Sequence, residues 1–185
     1  VVCGSARGSV RHVVAAPGAT ASADSEDAVA ATAPTSDHAA TFVAGFSTEA
    51  GSALWSQWVS GSHGASSCTD IIAEDDTVVV TGSVTAAGGA TQAWAHVTGG
   101  ASLKLGGGDS AWVAQFDASS SKPVRLSGLA ASSANVHAAA ATFTPRGGSV
   151  AVVGSSNGGT IHPSMPGVGL VDATGGAYRA PQDTD

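Results

Sequence analysis

The sequence predicts an all-β fold of four-stranded antiparallel sheets, like the blades of a β-propeller, with too few blades in this segment to close a ring. Three observations in the 185 residues carry that expectation. Valine-rich runs closed by Gly-Ser recur as "VVCGS" at the start, "TVVVTGSV" (77–84) and "SVAVVGSS" (149–156). Such runs bounded by turn residues read as strands. No window sustains the i, i+3, i+4 spacing of an amphipathic helix with its caps, and glycine interrupts most windows. The apolar content of 43% is mostly alanine and valine, aromatics reach only 5%, and 25 residues are glycine, so thin sheets stacked closely suit it better than a bulky helical core.

Superposing Gly4, Gly82 and Gly154 aligns the three runs, at separations of 78 and 72 residues, which marks an internal repeat with loops of variable length. A shift of 72 sets Ile71 on Phe143, Val78 and Val80 on Val150 and Val152, and "EDD" (74–76) on "RGG" (146–148), both at the place of a tight hairpin. A shift of 70 sets Phe42 on Trp112, Ala44 on Ala114, Phe46 on Phe116 and Leu54 on Val124. Residues two apart share a face of a strand, so aromatic, alanine and aromatic repeat on one face of each copy.

The elements follow in order. Residues 1–7 end a preceding blade. Residues 8–38, rich in Ala, Ser, Thr, Pro and Asp, read as a low-complexity loop or linker. Residues 39–84 form a first full blade, with strands near 41–47, 53–60, 68–73 and 77–84. The glycine-rich stretch 85–109 connects the blades, and its Trp94, Val97, Leu103 and Leu105 are expected to lie against them. Residues 110–156 form a second full blade, with strands near 111–117, 123–129, 137–144 and 149–155. Residues 157–185 hold a short loop and the start of a third copy at 167–178, where Val171 and Asp172 fall on Phe116 and Asp117.

Charge and targeting signals narrow the function classes. Seven basic against fourteen acidic residues give a net charge of -7, which disfavours binding to a phosphate backbone. No apolar run reaches membrane-spanning length. The opening "VVCGSARGSV" has no signal-peptide pattern, and Met165 is the single methionine, so a piece of a longer product or a processed form is expected. Cys3 and Cys68 permit one disulfide, and two buried unpaired thiols on strands are an equal reading. A disulfide would point to an oxidising compartment.

The run "VTGGASLKLGGGDSAWVAQFDASSSKPV" (97–124), with "ALWSQWVSGSHGASSCTDIIAEDDTVVVTGSV" (53–84), resembles the bacterial β-propeller repeats known as SBBP repeats. Gly107, Gly108, Asp109, Trp112, Val113, Ala114, Phe116 and Asp117 match the Gly-Gly-x-Asp and aromatic-Val-Ala-x-aromatic-Asp part of their pattern. Leu54, Trp55, Val78, Val80, Gly82 and Ser83 match the Trp-bearing strand and the Val-x-Val-x-Gly-Ser part. The resemblance covers about 39–84 and 97–156. Ser47 stands where the pattern has Asp, and Arg125 where it has Trp. It implies exported or cell-surface bacterial proteins, often lipoproteins, and it transfers no catalytic residue.

Several chemical motifs have duller readings that outweigh them. "GSSNG" (154–158) satisfies the G-x-S-x-G nucleophile pattern with Ser156, but that elbow needs a following helix, and "GSARG" and "GSVTA" end the equivalent runs without one. Asp70, Glu74, Asp75 and Asp76 offer oxygen ligands to calcium at a spacing that fits no calcium loop, and a solvated hairpin turn is the better reading. His12, His38, His63, His96, His137 and His162 show no ligand spacing and no matching positions across the repeats. Trp55 and Trp58 lie on opposite faces of one strand; burial between sheets is favoured over stacking on a sugar. "LGGGDSAW" (105–112) lacks the Lys-Ser/Thr and helix of a phosphate loop.

The expected function is therefore a non-catalytic structural or ligand-binding module of an exported or cell-envelope bacterial β-propeller, with no cofactor or metal and an unidentified protein or glycan as partner. An enzyme, hydrolase or lyase, on a propeller scaffold with its active site outside this segment, and a β-sandwich adhesion domain, are the alternatives. Repeats need neighbours to bury their faces, so further blades of the same chain or self-association are expected.

Overall fold

A computed structural model describes residues 1–7, 9–11, 30–32, 38–49, 53–61, 64–85, 94–97, 102–105, 108–131, 135–144, 149–157 and 161–164. Among these residues the chain is all-β, with antiparallel sheets and no helix. The strands are β1 (Val2–Ala6), β2 (Ser9–Arg11), β3 (Ala30–Thr32), β4 (Ala40–Phe46), β5 (Ala53–Gly61), β6 (Ser66–Glu74), β7 (Thr77–Val84), β8 (Trp94–Val97), β9 (Ser102–Lys104), β10 (Ser110–Asp117), β11 (Pro123–Ala131), β12 (Val136–Phe143), β13 (Val150–Ser156) and β14 (Ile161–Ser164). The eight strands expected within 39–84 and 110–156 are present, their ends within two residues of expectation. Their alternation of side chains decides their faces.

The strands of 39–84 do not share one sheet. A first five-stranded sheet runs β1-β4-β5-β8-β9, and a second runs β14-β11-β10-β7-β6. The hairpin β4–β5 thus belongs to one sheet and β6–β7 to the next, where β7 pairs with β10 rather than ending a unit. Each sheet takes the last part of one sequence repeat and the first hairpin of the following one. The residues read as connections also contribute strands: 8–38 holds the β2–β3 pair, 85–109 holds β8 and β9 on the edge of the first sheet, and β14 from 157–166 pairs with β11. The third-copy stretch 167–178 lies outside the described residues.

Register makes the repeat concrete. Phe42 pairs with Trp58, Ala44 with Ser56 and Phe46 with Ala53, with a bulge between Gly45 and Phe46. Seventy residues on, Trp112 pairs with Gly128, Ala114 with Leu126 and Phe116 with Pro123, with a bulge between Gln115 and Phe116. The hairpins β6–β7 and β12–β13 correspond too, but Ile71 pairs with Val80 and Ala141 with Val152, so Ile71 falls on Ala141 and not on Phe143. Phe143, paired with Val150, takes the place of Ala73, paired with Val78. The two extra residues of the second copy sit in its turn: Glu74 pairs with Thr77 in the first hairpin, whereas Thr144 N donates to Ser149 O in the second. The "RGG" triplet itself lies outside the described residues.

The main core lies between the two large sheets. Val78, Val80 and Val84 of β7 and Trp112, Ala114 and Phe116 of β10 face Val43 and Val59 of the first sheet, and all eight are buried. Ala95, Val97, Leu103 and Leu105 join this core, which is why 94–97 and 102–105 are drawn onto the sheet edge. Each fully buried valine contributes about 1.5 kcal/mol or more. The opposite face of the second sheet carries a smaller cluster, in which Ala111 packs against Val136 and Ala138 of the β12–β13 hairpin. The result is three stacked layers: first sheet, second sheet, hairpin.

Two further ties cross the layers. Cys3 on β1 is disulfide-bonded to Cys68 on β6, with Cα atoms 6.2 Å apart, so the bond joins the first sheet to the second. Asp70, at the β6 bulge, accepts from Ile71 N at 2.9 Å and from Ala141 N of β12 at 2.8 Å, joining the second sheet to the hairpin.

Candidate functional site

A loop and a cleft are the two places where polar chemistry gathers. The loop joins β10 to β11 and is organised by Asp117. Its Oδ1 accepts from the backbone N–H and hydroxyl of both Ser119 and Ser120, at 2.6 to 3.0 Å. Asp followed two and three residues on by serine builds such a turn because the short carboxylate reaches those amides. Ser121 N donates to Asp117 O, and Ser121 adopts a φ of 59°, which closes the loop onto β11.

So held, the loop reaches three neighbours. Trp55 Nε1 donates to Ala118 O at 2.8 Å, Gln57 Nε2 donates to Ser121 O at 3.1 Å, and Ala118 N donates to Asp76 O at 2.8 Å. The first two partners are on the first sheet, and the third is in the β6–β7 turn. The hydrogen bonds to the anion, that from the Ser119 hydroxyl first, hold the Asp117 carboxyl down from 3.8 to about 2. Because the folded value lies below the unfolded one, the clasp is fully favourable above pH 3.8 and is lost as pH falls through about 2. Trp55 fluorescence should therefore stay constant down to about pH 3 and shift only below it. Asp117→Asn should produce a shifted spectrum already at neutral pH, and an unchanged spectrum in that variant would show the clasp does not hold the loop.

The cleft lies between the outer face of the second sheet and the β12–β13 hairpin. One lobe, of about 270 Å³, is lined by Val79, Val113, Arg125 and Val152; the second, of about 280 Å³, by Glu74, Asp75, Thr77 and Phe143; Gln115 and Val150 line both. Each lobe is at the small end of ligand pockets, roughly 300 Å³ upward. Arg125, Glu74 and Asp75 are exposed, so donors and acceptors rim a valine floor. Such a surface can hydrogen-bond and orient a partner.

The sequence-derived candidates are dispersed. Ser156 ends β13, where it pairs with Val136, and Gly158 of its motif lies outside the described residues. Asp70 is committed to the backbone of β12, while Glu74, Asp75 and Asp76 form the exposed β6–β7 turn, in which Asp75 has a φ of 48°. Short acidic side chains tolerate that left-handed conformation. His137 Nε2 lies 3.8 Å from Asp109 Oδ2, and His96 Nδ1 is 2.7 Å from Ser102 Oγ. His38 is half-buried, and His12 and His63 lie outside the described residues. Among the described residues no group of three His, Cys, Asp or Glu side chains is placed to hold a metal ion.

The structure corrects one reading of the histidines. Ser60 pairs with His96 and Ala130 with His162, so these two histidines do hold matching positions, one in each large sheet. Trp58 is buried and edge-on to Phe42, with centroids 6.1 Å apart, whereas Trp55 is half-buried facing Phe116 at 6.3 Å. Gly108 and Asp109 lead directly into β10, and Asp109 N donates to Asn135 Oδ1. Gln57, Ala118 and Ser121 escaped the sequence reading, because their roles depend on a contact between residues more than 60 apart. Among the described residues no helix is long and apolar enough to cross a membrane. The chain matches no protein-family model, no curated protein and no solved structure.

Proposed function

We propose that the chain is a non-catalytic scaffold and binding module, a run of stacked blades from an exported bacterial β-propeller of the SBBP type, in which each blade draws its strands from two consecutive sequence repeats. The observation that carries this is the repeated register: Phe42, Ala44 and Phe46 recur as Trp112, Ala114 and Phe116, which in the second copy lie in the core between the two sheets, while in the first copy they lie on the face of β4 opposite core residue Val43, where a preceding blade would pack. Recurrence thus serves packing, and the parts that vary between copies are turns and connections, where a repeat scaffold meets its ligands. The Cys3–Cys68 disulfide supports an oxidising compartment, outside the cytoplasm.

A β-sandwich adhesion domain is the second reading, favoured by two five-stranded sheets sharing one core. The third layer weighs against it, since a two-layer sandwich has no place for a hairpin packed on the outer face of one sheet. Screening the chain on glycan and peptide arrays is expected to give binding without turnover. The binding should weaken at least about tenfold when Glu74, Asp75 and Asp76 are replaced together by Asn, as loss of a charged binding turn requires. Turnover of any panel substrate that a single substitution abolishes would overturn the non-catalytic reading.

A further inference from the structure

The cleft between the second sheet and the β12–β13 hairpin has two poles of opposite charge. Its lobes share Gln115, Ser149 and Val150, so they form one continuous trough. In the first lobe Arg125 and Ser127 stand two residues apart on one face of β11, with Gln115 and Val113 opposite them on β10. Glu74 and Asp75 line the second lobe with Thr77 and Phe143.

These polar side chains are uncommitted. Among the described residues the side chains of Arg125, Gln115, Glu74 and Asp75 make no hydrogen bond or ion pair, so the two poles do not neutralise each other. Ser127 carries the argument further. It is only 9% exposed, it lines the first lobe, and its hydroxyl has no hydrogen-bond partner among the described residues. Burying a hydroxyl unpaired is costly, and one that opens on a cleft regains its bond from what enters.

Each pole selects a charge, and their spacing selects a length. A guanidinium beside a serine hydroxyl offers donors to a carboxylate, which arginine holds through two parallel bonds. The carboxylates of Glu74 and Asp75 accept from an ammonium group. Arg125 lies opposite Gln115, and Gln115 opposite Val79, on three successive strands. Thr77 is two residues further along β7, so its Cα is roughly 12 Å from that of Arg125 for strands about 4.8 Å apart. An extended tripeptide spans about 10 Å. Between the poles Val113 and Val150 offer an apolar floor, and the Gln115 amide, donor and acceptor at once, matches a peptide group.

We propose that the cleft binds a short extended peptide as a zwitterion, its C-terminal carboxylate on Arg125 and Ser127, its N-terminal ammonium on Glu74 and Asp75, and a central peptide group on Gln115. This rests on the binding-module reading and names the ligand class of one site within it.

The test titrates the tripeptide Ala-Val-Ala into the intact chain by calorimetry, in free form, N-acetylated, C-amidated and blocked at both ends. The free peptide is expected to bind saturably, and either single block should weaken it at least about fivefold, because each removes a charge-assisted contact. Arg125→Gln should weaken the free peptide by a similar factor and abolish the effect of amidation. Glu74→Gln with Asp75→Asn should do the same for acetylation. All three residues are exposed, and Asn tolerates the left-handed φ of Asp75, so these variants keep the fold. No saturable binding below about 10 mM overturns the proposal, and so does a doubly blocked peptide that binds as tightly as the free one. A glycan or peptide from the arrays that wild type and Arg125→Gln hold equally, with no tripeptide bound, overturns the cleft assignment and leaves the binding-module reading in place.

Discussion

Gly82→Ala is expected to destabilise the protein by roughly 3 kcal/mol, the upper part of the range for overpacking a core. An added Cβ would overlap the Trp112 indole on one side and the Ser67 carbonyl oxygen on the other. The indole is fully buried among Val78, Val80 and Phe116, and the carbonyl belongs to the adjacent strand at the β6 bulge, so neither obstacle is the free end of a flexible side chain. Trimming the indole alone cannot restore the site. The double variant Gly82→Ala with Trp112→Leu should therefore remain less stable than Trp112→Leu by more than about 1 kcal/mol, because the backbone obstacle persists.

The same site makes a contrasting prediction for Trp112. Its Nε1 is buried without a hydrogen-bond partner among the described residues, and the equivalent residue Phe42 has no such group to satisfy. Trp112→Phe loses ring volume and also removes an unpaired donor, a group that costs about 1 to 3 kcal/mol when buried. It should be close to neutral, whereas Trp112→Ala should cost about 3 to 5 kcal/mol. Urea unfolding of the five variants orders them; a Gly82→Ala protein as stable as wild type would contradict the seat.

Loss of the Cys3–Cys68 bond is the second large effect. The bond closes a loop with a sequence separation of 65, for which the chain-entropy relation gives about 4 kcal/mol. Measured losses fall short of that relation when the unfolded chain keeps structure, so Cys3→Ser with Cys68→Ser is expected to cost about 2 to 4 kcal/mol. For a chain of this length that lowers the melting temperature by about 5 to 15 °C. β1 should respond first. Val1 and Val2 are 47% and 44% exposed, so the strand buries little apolar surface and depends on its pairing with β4 and on the sulfur bridge. Amide exchange in β1 should accelerate in the reduced protein before any change at the buried valines of β7; uniform exchange across both strands would argue against this order.

Much of the fold was legible because its signals are local. The strands of 39–84 and 110–156, the two faces of each, and the glycine and aromatic positions all follow from alternation with period two and from residues that turn the chain. The Asp117 clasp passed unread, although an aspartate followed two and three residues on by serine is a local signal for such a turn. Trp55's bond to Ala118 was not legible, since nothing near Trp55 indicates a carbonyl 63 residues away. The β8, β9 and β14 segments were passed over because three or four residues are too few to set a period, and only burial of Ala95, Val97 and Leu103 in the core between the two sheets reveals the strand character of β8 and β9.

By itself the sequence determined an all-β chain, its repeat, and which side chains share a face. The tertiary structure decided how those strands are grouped into sheets. Alternation selects a face but says nothing about the neighbour at either edge, and the edges of β5 and β7 present the same backbone groups to any partner. Pairing β5 with β8 and β7 with β10 leaves the break between sheets at residues 62–65 and puts Val43 and Val59 against Val78, Val80, Trp112 and Phe116. Two faces buried at once outweigh the shorter connection that would have kept β5 beside β6.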